Sequence, residues 1–252
     1  ARSIGYDSVN FDLIYGLPKQ TPESMAQTIR QTIELKPDRI ALYSFALVPW
    51  IKPAQRLFKD EDLPTGAEKR ELYELSYEML LAAGYIEIGM DHFALPKDPM
   101  AIAQKTKTLH RNFMGYTDVR TDVLLGLGVS AISETKDCFH QNEKVLPVYE
   151  RMVSENQIPT LRGHKLSAAD QAQREQILAF MTSGEVHLRD ASQEADVRDF
   201  LRPLLEDHLI EVENGLLKIT GEGKPFLRNA CMALDQRLRE QKPNTRIFSQ
   251  SL

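Results

Sequence analysis

Between Val9 and Tyr15 the chain alternates in character. Phe11, Leu13 and Tyr15 fall on one side and Asn10 and Asp12 on the other, the period-two pattern of a strand. A Gly16-Leu17-Pro18 turn follows, and Thr21-Pro22-Glu23 supplies an N-cap, a proline at the first helical position and an acid in the first turn. Met25, Ile29 and Ile33, spaced by four, predict one apolar helical face that Pro37 ends. Arg39 to Ala46 reads as a second strand. A proline- and charge-rich loop from Val48 to Pro64 leads to a helix capped by Thr65, with a stripe of Leu72, Leu75, Met79 and Leu80 closed by Gly84. Tyr85 to Phe93 reads as a third strand. Repeated strand–helix–strand units predict an α/β class with parallel strands, either a barrel or an open wound sheet. Ala1 to Ile4 resemble the last turn of a helix stopped by Gly5, so the chain reads as entering in mid-fold.

A parallel strand buried on both faces is apolar throughout, and Asn10 and Asp12 break that rule. They point to a lumen that holds a polar ligand; the competing reading is a buried carboxylate bonded to neighbouring backbone. In the second strand Leu42, Ser44 and Ala46 share a face, and Ala46 is small enough to let a ligand approach. The stretch from Pro96 to Gly128 is less regular. Residues 165 to 235 read as a small separate domain: an amphipathic helix from about Ala168 to Met181, then a helical stretch from Asp196 to His208 interrupted at Pro203. Two short strands follow around Asn214-Gly215, a strong hairpin signal, with a final helix from near Gly221. That outline is winged-helix-like. The expected division is 1–133, a linking segment 134–164, and 165–252, with no clear periodicity after Lys242.

Composition narrows the classes. Hydrophobic residues make up 42% and charged residues 27% of 252, ordinary for a globular chain. No apolar run reaches membrane-spanning length and no signal-peptide pattern opens the chain, so a cytoplasmic protein without a membrane partner is expected. A net charge of −5 gives no reason to expect nucleic acid. Cys138 and Cys231 are too far apart in sequence to suggest a metal-ligand cluster or a disulfide framework.

Three segments carry candidate chemistry. Gly126-Leu127-Gly128-Val129-Ser130-Ala131 fits a G-x-G-x-x-A fingerprint. It lacks the preceding apolar strand and long following helix that a dinucleotide site requires. Glycines that let backbone pass close to a ligand, with Ile132 packing on its flat face, are the simpler reading. Asp91 and His92, in Gly89-Met90-Asp91-His92-Phe93, offer acid–base groups or metal ligands, or else a histidine that orients a loop. His110-Arg111-Asn112-Phe113-Met114-Gly115-Tyr116 combines a cation, an imidazole and aromatics, suited to a planar ligand bearing carboxylates. A surface ion pair is the plainer reading of Arg111.

Taken in order, DLIYGLPKQT at 12–21, GMDHFA at 89–94, LHRNFMGYT at 109–117, GLGVSAIS at 126–133 and FLRNACMALD at 226–235 resemble the oxygen-independent coproporphyrinogen III oxidases of haem biosynthesis. These are radical S-adenosylmethionine (SAM) enzymes, and the resemblance covers essentially the whole chain. It implies the C-terminal part of a partial (β/α) barrel binding a [4Fe–4S] cluster and two SAM molecules, followed by a mostly helical domain covering the site. The implied reaction is radical-initiated oxidative decarboxylation of coproporphyrinogen III propionates to vinyl groups. By motif matching, Asp12 and Ala46 fall at contacts to the second SAM and Ile132 at a contact to the first. His110, Arg111 and Phe113 are candidates for the substrate side. The resemblance further implies a monomer, with the electron acceptor undefined.

Two departures stand out. The C-x-x-x-C-x-x-C cluster motif is absent from these 252 residues, so the polypeptide as it stands is expected to be inactive. Met114 replaces the glutamine that the family carries in HRNFQGYT. Two rivals accompany this reading. One is a haem-binding or haem-delivery protein of the same superfamily; the other is a winged-helix DNA-binding protein, which the acids of 196–208 oppose.

Overall fold

The computed structural model describes residues 1–50 and 52–241; the tail from 242, read above as lacking periodicity, lies outside the described residues. Residues 1–106 and 107–240 belong to two compact units.

The first unit opens on a 3₁₀ turn, Arg2–Ile4, stopped by Gly5 at φ 94°. Strand β1 (Asn10–Tyr15) enters a turn stitched by Gln20. Its side-chain oxygen accepts from the amides of Gly16 at 2.6 Å and Leu17 at 3.2 Å, and its amide donates to the Ile14 carbonyl at 3.3 Å. Gly16 has φ 78°, and a Cβ there would come within 2.7 Å of the Lys69 side chain. Glycine and glutamine in DLIYGLPKQT therefore serve the turn itself.

Helix α1 (Pro22–Leu35) begins with a reciprocal Thr21–Ser24 capping box and buries Met25, Ile29 and Thr32. Strand β2 (Arg39–Ser44) pairs in parallel with β1 and ends two residues short of Ala46. Helix α2 (Gly66–Ala82) starts with a Thr65–Glu68 capping box and buries Leu72, Tyr73 and Leu80. These helices pack on one sheet face, where Tyr15, Ile40, Leu42 and Phe93 complete the core.

The expected third strand is in fact two. The chain reverses at Met90-Asp91 between β3 (Ile86–Gly89) and β4 (His92–Ala94), with Gly89 opposite His92. Met90 takes the left-handed conformation, φ 47°, that a tight two-residue reversal demands. The sheet order is β1-β2-β4-β3, parallel only between β1 and β2. Helix α3 (Pro99–Lys105) follows, capped by Asp98.

In the second unit, β5 (His110–Asn112) and β6 (Gly115–Thr117) form a hairpin. Next come β7 (Val123–Leu124), β8 (Ile132–Thr135), β9 (Cys138–Asn142), helix α4 (Leu146–Ser154) and β10 (Thr160–Lys165). Four of these strands make an antiparallel sheet in the order β10-β9-β8-β7. The glycine-rich segment joins β7 to β8, with no helix after it, so the dinucleotide fingerprint does not apply. A Cβ on Gly126 would lie 2.5 Å from the Ile132 carbonyl oxygen; the close approach at that position is to the chain's own backbone.

The chain then forms α5 (Ala168–Ser183), β11 (Glu185–His187), α6 (Ala191–Phe200), α7 (Arg202–Glu206), β12 (Ile210–Glu213) and β13 (Leu216–Ile219). Strands β11, β13 and β12 form a three-stranded antiparallel sheet. The expected reversal at Asn214-Gly215 is present, with both residues at positive φ. Helix α8 (Leu227–Cys231) buries Leu227, Ala230 and Cys231.

One buried ion pair joins the sheet of the first unit to α3. Asp98, its side chain 1% exposed, accepts from Nε of Arg39 at 2.9 Å and caps α3 through the Met100 amide at 2.8 Å. Asp98→Ala removes the carboxylate from Arg39 and the cap from α3, and is expected to cost about 3–5 kcal/mol in urea unfolding. Asp98→Asn, which keeps an acceptor for the cap, should cost less; equal losses would mean that the cap contributes nothing, and an unchanged stability of Asp98→Asn that the charge pairing contributes nothing.

Candidate active site

Strand register decides what faces what in the first unit. Asp12 lies opposite Ala41, and Ala41 opposite His92, so all three project from one side of the sheet. This is the side away from α1 and α2, and Asn10, Asp12 and Ile14 are exposed on it while Tyr15 is buried on the other. The Asp12 Oδ1 accepts a 2.8 Å bond from the Asn10 side chain. Its second carboxylate oxygen has no hydrogen bond among the described residues, so the group can receive a hydroxyl or ammonium from a ligand.

Ala46 sits differently from the expectation. Leu42 and Ser44 are paired with Leu13 and Tyr15, hence on the helix-covered face, and β2 has ended before Ala46. Its carbonyl accepts from the Gln55 side chain at 3.2 Å, and the residue is half-buried in the loop. Asp91 and His92 do not share a continuous strand. Asp91 occupies the turn, and its Oδ1 lies 2.7 Å from His92 Nδ1, while the His92 ring meets Tyr43 edge-on at 6.0 Å. Among the described residues no group of three or more metal-ligating side chains exists.

In the second unit, the β5–β6 hairpin, strands β8 and β9 and helix α5 converge on Glu134. This buried carboxylate pairs with Arg174 of α5 and accepts from the Phe113 amide at 3.1 Å. Arg174 also donates to the Thr135 carbonyl at 2.9 Å and lies 5.0 Å from the Phe139 ring. Cavities open on both sides of the pair. One, about 320 Å³, is lined by Arg111, Phe113, Phe139, Ile177 and Met181 among others. The other, about 220 Å³, includes His110, Arg120, Asp122, Lys136 and Glu175. Both contain Glu134 and Arg174, two residues that no sequence motif singled out.

The three substrate-side candidates thus share one hairpin. Arg111 stands opposite Tyr116, its guanidinium 4.7 Å from that ring. Phe113, 59% exposed, and Met114 occupy the hairpin turn, so neither ring nor thioether is committed to the core. Ile132 is half-buried at the start of β8. Burial lowers the proton affinity of His110, and the charges of Arg120 and Arg174 lower it further against the opposing pull of Glu134.

The first comparison is with relatives. The chain is 41% identical to an oxygen-independent coproporphyrinogen III oxidase of Escherichia coli over 99% of its own length and 56% of the relative's. It is 40% identical to the one of Pseudomonas aeruginosa over 94% and 54%, and 35% identical to the one of Synechocystis over 100% and 56%. The chain is a homologue of the oxygen-independent coproporphyrinogen III oxidases. It spans about half the length of these curated oxidases. A solved coproporphyrinogen III oxidase from E. coli, described as a radical SAM enzyme, superposes with a TM-score of 0.88 at 41% identity, covering 94% of this chain and 57% of that one. The α/β architecture is therefore that of this part of the solved oxidase. No protein-family model matches the chain, and no helix among the described residues is long and apolar enough to cross a membrane.

The cationic surroundings of His110 are directly measurable. Its imidazole is expected to titrate below the ordinary value of about 6.5. Because the charged form is the one disfavoured, stability falls as pH drops below that value and levels off once the folded-state group is also protonated. In NMR titrations Arg120→Ala should raise the midpoint and Glu134→Gln lower it. A wild-type midpoint at or above 6.5 would contradict the arrangement.

Proposed function

We propose that this chain forms part of an oxygen-independent coproporphyrinogen III oxidase, a radical SAM enzyme that oxidatively decarboxylates propionate side chains of coproporphyrinogen III to vinyl groups. The observation that carries this reading is homology along nearly the whole of this chain, at 35–41% identity, to about half the length of proteins of that name, together with the matching radical SAM structure. A SAM molecule beside a reduced iron–sulfur cluster supplies the hydrogen-abstracting radical in such enzymes.

In this reading Asp12 holds polar groups of one SAM on the helix-free sheet face, and Ala46 leaves room beside it. Ile132 packs against another SAM, so two molecules are proposed for the whole protein. The exposed Asp12 carboxylate with an oxygen to offer fits that role. The [4Fe–4S] cluster does not fit here: the chain has two cysteines, and they belong to no cluster of potential ligands among the described residues. The cluster is assigned to the part of the oxidases that this chain does not span. His110, Arg111 and Phe113 are proposed on the substrate side, with coproporphyrinogen III as substrate and a monomeric cytoplasmic protein as the simplest state.

We read residues 165–235 as winged-helix-like, on the helix–strand–helix–helix–hairpin order of α5 to β13. DNA binding gains no support from it. Arg198 and Arg202 are paired with Glu194 and Asp199, so neither cation is left for phosphate. The relatives named above do not favour a haem-delivery role.

The test joins this chain to the cluster-binding half of an oxidase. Asp12→Ala should weaken SAM binding by about tenfold, the loss of a hydrogen bond to a charged group, and leave cluster absorbance unchanged. Unaltered SAM affinity would remove Asp12 from the site.

A further inference from the structure

Among the described residues one buried side-chain nitrogen or oxygen has no hydrogen-bond partner: Nη1 of Arg111. Buried polar groups are nearly always satisfied, and a desolvated charged donor without an acceptor is costly. The guanidinium is held in place by Tyr116, whose ring lies 4.7 Å away and whose hydroxyl donates to the Met181 carbonyl at 2.9 Å. Tyr116 is itself buried, so this platform is rigid. Nearby Cys231 is no counter-ion, because burial pushes its thiol up to about 12 and leaves it neutral at pH 7, although the Arg111 charge pulls the other way.

Arg111 lines the cavity of about 320 Å³. The other arginines of that wall are matched: Arg174 pairs with Glu134, and Arg237 forks onto Asp170 through bonds of 2.6 and 2.9 Å. Asp170 also faces His164 at 3.9 Å, and Asp235 accepts from the Leu238 amide at 3.0 Å. Much of the remaining lining is apolar, from Phe139, Leu166, Ile177, Leu178 and Met181. The volume lies at the small end of ligand sites, roughly 300–1,000 Å³. It suits an arm rather than a macrocycle.

We propose that this cavity binds a carboxylate carried on a short apolar arm, with Arg111 as its counter-charge and the side chains of β9 and α5 as its apolar wall. Two sources share this chemistry: a propionate arm of a tetrapyrrole, which rests on the function proposed above, and a free aliphatic or arylalkyl acid, which does not.

Calorimetric titration of the chain tests the site with 3-phenylpropionate, with coproporphyrin III and with coproporphyrin tetramethyl ester. Both acids should bind, and the ester at least tenfold more weakly than its acid. Arg111→Gln should weaken binding of the acids at least tenfold without lowering the melting temperature of the free chain, since the buried Nη1 has no hydrogen bond to lose. Arg111→Lys should restore part of the affinity, supplying the charge without the planar fork. Binding of 3-phenylpropionate with no binding of coproporphyrin III would uphold the carboxylate site and remove the tetrapyrrole from it. Equal affinity for acid and ester, undiminished binding to Arg111→Gln, or failure of both acids to bind would each overturn the proposal.

Discussion

The second unit depends on one buried carboxylate. Glu134 leaves β8 and meets Arg174 of α5 and the amide of Phe113 in the hairpin turn. The three groups come from three separate segments, β8, α5 and the β5–β6 hairpin. A buried carboxylate without these partners would be severely destabilising. The pair therefore fixes the hairpin against helix and sheet, and through the hairpin it fixes His110, Arg111 and Phe113. Both cavities include the pair in their lining.

The first unit solves a different problem. Its sheet has one face for helices and one for something polar. Leu13, Ile40, Leu42 and Phe93 are committed to the former by packing with α1 and α2, which leaves Asp12, Tyr43 and His92 on the latter. Because side chains alternate strictly along a strand, the depth of the core on one face determines what is presented on the other. At the start of β2 the Arg39–Asp98 pair matches the cation with a buried carboxylate.

Much of this was legible in local sequence. N-caps at Thr21 and Thr65, the stop at Pro37 and the Asn214-Gly215 reversal act within a few residues, and the structure has each where the pattern puts it. The alternation that set Asp12 apart from Leu13 and Tyr15 was equally local. The split of Tyr85–Phe93 into a hairpin was harder to read, since Met90 is a poor advertisement for a left-handed turn. The face assigned to Ala46 was misread because alternation was carried past the end of β2. Strand β11 is three residues long and has no periodicity to detect.

The sequence by itself determined β1, the helices α1, α2 and α5, the Asn214-Gly215 reversal, the polar side of β1 and, through five ordered motifs, the kinship with coproporphyrinogen oxidases. Those signals depend on neighbours in the chain or on residue identity in order. Only the tertiary structure decided that Glu134 and Arg174, 40 positions apart, form the hub of the second unit. It alone showed that one nitrogen of the half-buried Arg111, Nη1, is buried and unmatched. Burial and pairing are properties of what surrounds a side chain, and those surroundings come from distant segments whose approach no local pattern records.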